Sequence, residues 1–162
     1  KNICNDEWNI KQDAGRLIKD AEKELIFKFP NYKNQIKLYY KNHRKMFRRI
    51  FNNSIDALKF LKEKKYECYV LSNWSWETFQ NMENDYPFLK LFDDLIISGK
   101  EKIVKPNKEI YLLAIKRFNL KAKETVFIDD RIENIIAAKK LGFKTIHLIN
   151  PELIENEIKK FV

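Results

Sequence analysis

The sequence predicts an α/β fold in which a parallel sheet carries helices on both faces and follows an all-helical segment. Two observations lead there. From about residue 66 onward, short apolar runs alternate with amphipathic stretches of helical length, the pattern of successive strand–helix–strand units. Before about residue 50, apolar residues recur at helical spacing and no run reads as a strand. The 162 residues are enough to bury a core, and 44% hydrophobic content with only 3 glycines and 4 prolines marks a globular chain.

The elements follow in order. "AGRLIKDAEKELIFKF" puts Leu17, Ile18, Ala21, Leu25 and Ile26 on one helical face, and Pro30 interrupts it. "NYKNQIKLYYKNHRKMF" reads as a second helix. "SIDALKFLKEK" spaces Ile55, Leu58 and Leu61 for a core, with Asn53 or Ser54 as N-cap. "YECYVLS" is the first strand and "SWETFQNMEND" a helix ended by the turn before Pro87. "DLIIS" is the second strand. A helix opening at Pro106 turns Ile110, Leu113, Ala114 and Phe118 inward. "ETVFID" is the third strand, "RIENIIAAKKLG" a helix closed by Gly142 as left-handed cap, and "KTIHLI" the fourth strand.

Composition narrows the function classes. The net charge of +9 is spread over nearly every segment. Its densest cluster, "KNHRKMFRR" from Lys41 to Arg49, reads as a solvated helix face and matches no nucleic-acid-binding motif. No apolar run is long enough to cross a membrane, and no secretory signal is visible. Cys4 and Cys68 fit no metal or disulfide framework. Cys68, in an apolar strand, is expected to be a buried thiol, and a cytoplasmic setting is the default expectation.

Ligands of open α/β sheets bind beyond the carboxyl ends of the strands. Those ends carry Ser72-Asn73, Ser98-Gly99 leading to Lys105-Pro106, Asp129-Asp130, and His147. Each has a plain alternative. Ser72 or Asn73 could cap a helix, Lys105 could be one surface lysine of many, the aspartates could face a helix N-terminus, and His147 reads as packed in its strand. Two adjacent carboxylates repel each other and resist desolvation, so a bound divalent cation is the functional alternative.

At these residues the sequence resembles the haloacid dehalogenase superfamily of phosphohydrolases. "YVLSNWS", "KIVKPNKEIY" and "VFIDDRIENIIAAKKLGFKTIH" resemble its second, third and fourth motifs, in order. "EWNIKQDAGR", "SNWSWETF", "YPFLKLFDDLIISG" and "LINPELI" resemble the branch of glucose-1-phosphatase-like enzymes and the phosphatase domain of soluble epoxide hydrolase. The resemblance implies a Rossmann-like α/β core over residues 51–162 and a helical cap over residues 1–50. It implies a Mg²⁺-dependent phosphomonoesterase acting through an aspartyl-phosphate on a small phosphorylated metabolite such as a sugar phosphate. Asp130 would be the direct Mg²⁺ ligand. Asp129 would act behind it, through water or toward Lys105. Lys105 would supply positive charge, Ser72 and the Asn73 backbone would bind phosphate oxygens, and Asn134 would hold the acidic loop. Arg16 would reach phosphate or a sugar hydroxyl, or else form a salt bridge within the cap. Trp74, Trp76 and Phe79 would line the entrance or pack as core. The paired aspartates favour phosphate esters over carbon–halogen bonds.

The family's first motif, an apolar strand ending in Asp-x-Asp, has no match here. Neither Asp6 nor Asp13 follows a strand. The chain begins at Lys1, inside what resembles the cap, so about 40 preceding residues with the central strand and the nucleophile are expected to be missing. The chain as given is then expected to be inactive, with a gap between the "YVLS" and "VFID" strands. A fragment or pseudoenzyme that only binds a partner is the alternative, and a nucleic-acid-binding module a weaker one. Lys102 stands where the family often has Gly, which questions the loop before Lys105.

Overall fold

A computed structural model describes residues 3–47 and 49–162; Lys1, Asn2 and the Arg48 of the basic cluster lie outside the described residues. Helix α1 (Asp6–Asp13) starts at Asn5, whose side-chain oxygen accepts the Trp8 amide at 2.9 Å. That bond satisfies one of the first-turn donors a helix leaves unpaired. Helix α2 (Ile18–Lys28) and, after a 3-10 turn at Pro30–Tyr32, helix α3 (Lys33–Lys41) complete this segment. Trp8, Ala21, Leu25 and Ile36 are buried together, with Tyr39 and Tyr40 packed against them. The segment thus has an apolar cluster of its own.

The helix expected across residues 31–47 ends early. The Asn42 side chain donates to the Leu38 carbonyl at 3.1 Å, and a 3-10 turn at His43–Met46 follows. Asparagine competes with the backbone ladder in this way, which is why it tends to end helices.

Helix α4 (Asn52–Glu63) buries Ala57 and Leu58. Neither Asn53 nor Ser54 caps it. The helix begins after Phe51 without a side-chain cap, and the Asn53 amide instead donates to the Glu152 carbonyl. Strand β1 (Tyr69–Ser72) follows, and Cys68 sits just before it, half-buried rather than buried. The next expected helix is two short ones, α5 (Trp76–Phe79) and α6 (Met82–Asp85), because Asn81 between them has φ +62°. A left-handed residue cannot continue a right-handed helix.

Strand β2 (Asp94–Ile97), helix α7 (Ser98–Glu101) and helix α8 (Lys108–Arg117) lead to strand β3 (Val126–Asp129). Helix α9 (Ile132–Lys140), strand β4 (Lys144–His147) and a short helix α10 (Ile154–Ile158) close the chain. Gly142, just past α9, has φ +91°, the left-handed cap expected there.

The strands form two parallel pairs. β1 pairs with β2, aligning Ser72 with Ile97, and β3 pairs with β4, aligning Asp129 with His147. Among the described residues β1 and β3 share no ladder. What joins the pairs on one face is apolar packing. Ile110, Tyr111 and Ala114 of α8, with Phe118, Ala138 and Phe143, bury Ile96 of β2 and pack against Tyr69, Leu71 and Phe127. The inward face expected for α8 thus gains Tyr111, which is fully buried. On the other face Ala57 of α4 and Ile154 and Ile158 of α10 cover Ile146, with Val126 and Ile128 alongside. Helices therefore lie on both faces of parallel strands, the α/β architecture expected.

Gly99 brings the loop after β1 onto the start of α7. Its amide donates to the Trp74 carbonyl at 3.0 Å. A Cβ there would lie 2.6 Å from the Trp74 oxygen and 3.1 Å from the Ser75 carbonyl carbon, both backbone atoms. Gly99→Ala should therefore lower stability by about 1–3 kcal/mol in urea unfolding, the usual cost of forcing extra volume into a packed site. A loss under about 0.5 kcal/mol, the scale of a neutral surface change, would show that this loop yields freely.

Candidate active site

The carboxyl ends of β1 and β3 are joined by a chain of polar contacts that runs through Lys105. Asn73, directly after β1, grips the Lys105 backbone from both sides. Its amide nitrogen donates to the Lys105 carbonyl at 2.9 Å, and its side-chain oxygen accepts the Lys105 amide at 2.8 Å. The Lys105 ammonium then donates to Asp129 Oδ2 at 2.6 Å, with both side chains buried. Lys102, expected to disturb this loop, has a φ of +60° and ends α7 in the left-handed conformation, so the turn forms with a lysine there.

Asp129 is fully engaged. Its Oδ1 accepts the Arg131 amide at 2.9 Å and the Asn134 side-chain amide at 2.9 Å. Asn134 is itself held in α9, where its carbonyl accepts the buried Tyr111 hydroxyl at 3.1 Å. Burial works to raise the Asp129 carboxyl, but the Lys105 charge and the hydrogen bonds from Lys105, Arg131 and Asn134 outweigh it. The carboxyl lies below its ordinary range and stays ionised.

Asp130 contrasts with its neighbour. It is exposed, and its side chain makes no hydrogen bond among the described residues. Its carbonyl meets His147 Nε2 at 2.9 Å. His147 is exposed rather than packed, as the last residue of β4 at the carboxyl edge of the strands. The Ser72 hydroxyl, half-buried at the end of β1, is also without a protein partner among the described residues.

Arg16 turns into the helical segment. Its guanidinium donates to Gln12 Oε1 at 2.7 Å and to the Trp8 carbonyl at 3.3 Å, and pairs with Glu24. Trp74 packs by the helical segment, its ring 5.3 Å from Phe47 and 6.0 Å from His43, while its Nε1 donates to Thr78. Trp76 and Phe79 stack on each other at 6.3 Å.

Two roles of strand-end residues escaped sequence reading. The Asn73 side chain, rather than its backbone alone, positions Lys105. Ser98, fully buried, accepts the Trp74 amide at 2.9 Å and donates to the Asp13 carbonyl at 2.6 Å, tying the loop after β1 to the end of α1. The available signal was the place of Ser98 at the end of an apolar strand. A cavity of about 180 Å³ opens beside Asn73, between the helical segment and the sheet. Among the described residues no three His, Cys, Asp or Glu side chains cluster as metal ligands.

The fold is thus a helical segment packed over a parallel α/β core, with a buried lysine–aspartate pair across the strand ends. The sequence profile of haloacid dehalogenase-like hydrolases matches residues 8–148, and the chain belongs to that family. It is 30% identical over 105 residues to a sesquiterpene phosphatase of Aspergillus oryzae, covering 65% of this chain and 54% of that protein. It is 29% identical over 141 residues to a glyceraldehyde 3-phosphate phosphatase of Methanocaldococcus jannaschii, covering 83% of this chain and 60% of that protein. The chain thus spans little more than half the length of these relatives. A family enzyme of Bacteroides thetaiotaomicron, crystallised as a magnesium complex, superposes with a TM-score of 0.72 at 23% identity over 87% of this chain and 74% of that one.

Removing one partner of a buried ion pair strands the other charge. Lys105→Met should cost about 3–5 kcal/mol in urea unfolding at neutral pH, and adding Asp129→Asn should recover part of that loss. The depressed Asp129 carboxyl also sets a pH dependence. Its contribution is complete above the ordinary value of about 3.9 and fades as the pH falls through the lower folded value. Stability should therefore drop more steeply below about pH 4 in the parent protein than in Asp129→Asn, and equal acid slopes would contradict the pairing.

Proposed function

We propose that the complete protein is a Mg²⁺-dependent phosphomonoesterase for small phosphorylated metabolites. The observation that carries this is the buried Lys105–Asp129 pair beside an exposed, unbonded Asp130 carboxylate. Relatives named as phosphatases of glyceraldehyde 3-phosphate and of a sesquiterpene support phosphate esters as the substrate class. The donor set fits Mg²⁺, which keeps several waters and needs only one or two protein carboxylates. Asp130 would hold it directly, with Asp129 behind it on Lys105. When bound, Mg²⁺ neutralises charge on phosphate oxygens and orients them.

The remaining chemistry falls to side chains. Lys105, fixed by Asn73 and Asp129, sets a positive charge against the nonbridging oxygens. The Ser72 hydroxyl and Asn73 backbone donate to phosphate. Asn134 holds the acidic loop. The nucleophile would be an aspartate on a strand lying between β1 and β3, as the family resemblance implies. Among the described residues β1 and β3 share no ladder, which supports that placement, because their facing backbone groups call for partners. Residues up to about 50 would then act as the cap. The carboxylate oxygen would attack phosphorus as the bond to the ester oxygen breaks, and the leaving alcohol would take its proton from the second aspartate of the Asp-x-Asp motif, which later takes one back from the attacking water. Water then cleaves the acyl phosphate, releasing inorganic phosphate and restoring the carboxylate.

In the complete protein, Asp130→Asn and Lys105→Ala should each lower Mg²⁺-dependent turnover of p-nitrophenyl phosphate by about 10²–10³-fold, the scale of losing one transition-state contact. Undiminished turnover in EDTA would sink the assignment. The 162-residue chain alone should give no turnover at saturating Mg²⁺. Supplying the upstream Asp-x-Asp strand should restore it, and continued inactivity would favour a binding role without catalysis.

A further inference from the structure

The cavity between the helical segment and the sheet contains a carboxylate that the proposed chemistry does not use. Asp13 is the last residue of α1, where the helix dipole disfavours negative charge. It belongs to no ion pair among the described residues, although the chain carries a net charge of +9. Burial pushes its carboxyl up to about 6, the Ser75 amide pulling the other way. Its backbone carbonyl accepts the Ser98 hydroxyl, which fixes the end of α1 beside the cavity that Asp13 lines.

The rest of the lining has a definite character. Tyr40, His43, Phe47 and Trp74 set a row of rings along it, with adjacent centroids 5.7, 5.3 and 5.3 Å apart. His43 Nδ1 is buried with no hydrogen-bond partner among the described residues. Burial also lowers the His43 pKa, which favours the neutral ring. The Tyr40 hydroxyl is already committed, accepting from Gln12 at 3.0 Å and donating to Asn9 at 2.8 Å. Asn73 lines the cavity and also grips Lys105, so the cavity adjoins the end of β1.

We propose that this cavity receives an alkylammonium group, so that the substrate class is the phosphate monoesters of amino alcohols. This rests on the phosphatase reading for the phosphate end. A cation answers the Asp13 charge and lies against ring faces, the arrangement that recognises ammonium groups. A neutral polyol would leave that charge uncompensated in a half-buried site. About 180 Å³ holds roughly half a dozen water-sized groups at ~30 Å³ each, the size of an ethanolamine or choline head.

Isothermal titration calorimetry of the protein decides it, with O-phosphoethanolamine, phosphocholine, ethyl phosphate, glucose 6-phosphate, inorganic phosphate and free choline as probes. The amino-alcohol phosphates should bind about tenfold or more tighter than ethyl phosphate or glucose 6-phosphate. Asp13→Asn should erase that preference and leave inorganic phosphate binding unchanged. Because Asp13 has no ion-pair partner to strand, the variant should melt no lower than the parent, which thermal unfolding checks. Equal binding of charged and neutral esters, or preference for glucose 6-phosphate, overturns the proposal while leaving the phosphatase reading intact. Choline binding lost in Asp13→Asn, with no binding of any phosphate, would support the cavity assignment and count against the phosphatase reading instead.

Discussion

The contact between Lys105 and Asp129 is where the two halves of the sheet meet. The β1–β2 pair and the β3–β4 pair share no backbone ladder with each other among the described residues. Their carboxyl ends are held in register by a polar chain from Asn73 through Lys105 to Asp129 and Asn134. Desolvating two charges costs several kcal/mol per ion, and Coulomb attraction offsets this only when the remaining lone pairs are satisfied. Both Asp129 oxygens have partners, which meets that condition. The pair therefore costs little to keep and much to break, which suits a group that must hold charge at a fixed point.

Around that contact the structure separates groups that are committed from groups that are not. The Asn134 amide donates to Asp129, and Asn73 and Asp129 have their side-chain polar atoms engaged with neighbours. Ser72 and Asp130 do not, and both sit at the same ends of the strands. Preorganised groups around unengaged ones is the arrangement by which a site binds charge without first rearranging. The helical segment is fixed to this frame at several points: Ser98 on the Asp13 carbonyl, Glu77 on the Ile18 amide at 2.7 Å, and Arg44 paired with Asp85. The close approach at Gly99 allows the first of these.

Much of this was legible along the chain. The strands and α8 and α9 were readable because apolar periodicity is a local property, and the glycine cap of α9 needs only its own φ. The rim residues were readable because parallel strands place their last residues at one edge. Helix interruptions at Asn42 and Asn81 were missed: each depends on a side-chain bond or a left-handed φ that periodicity does not report. His147 was expected to be packed because its strand is apolar on average, whereas its place as the last residue of β4 leaves it exposed.

Sequence by itself determined the element order, the apolar faces and the set of residues that reach the strand ends, because each follows from spacing within a few residues. Tertiary structure alone decided which of them touch. Lys105 and Asp129 lie 24 positions apart, Ser98 and Asp13 85 apart, and Arg44 and Asp85 41 apart. The choice of Gln12, Trp8 and Glu24 for Arg16, and the isolation of Asp13 in its cavity, likewise depend on packing. Hydrogen bonds and ion pairs act over a few ångströms, and only the folded chain sets which groups come that close.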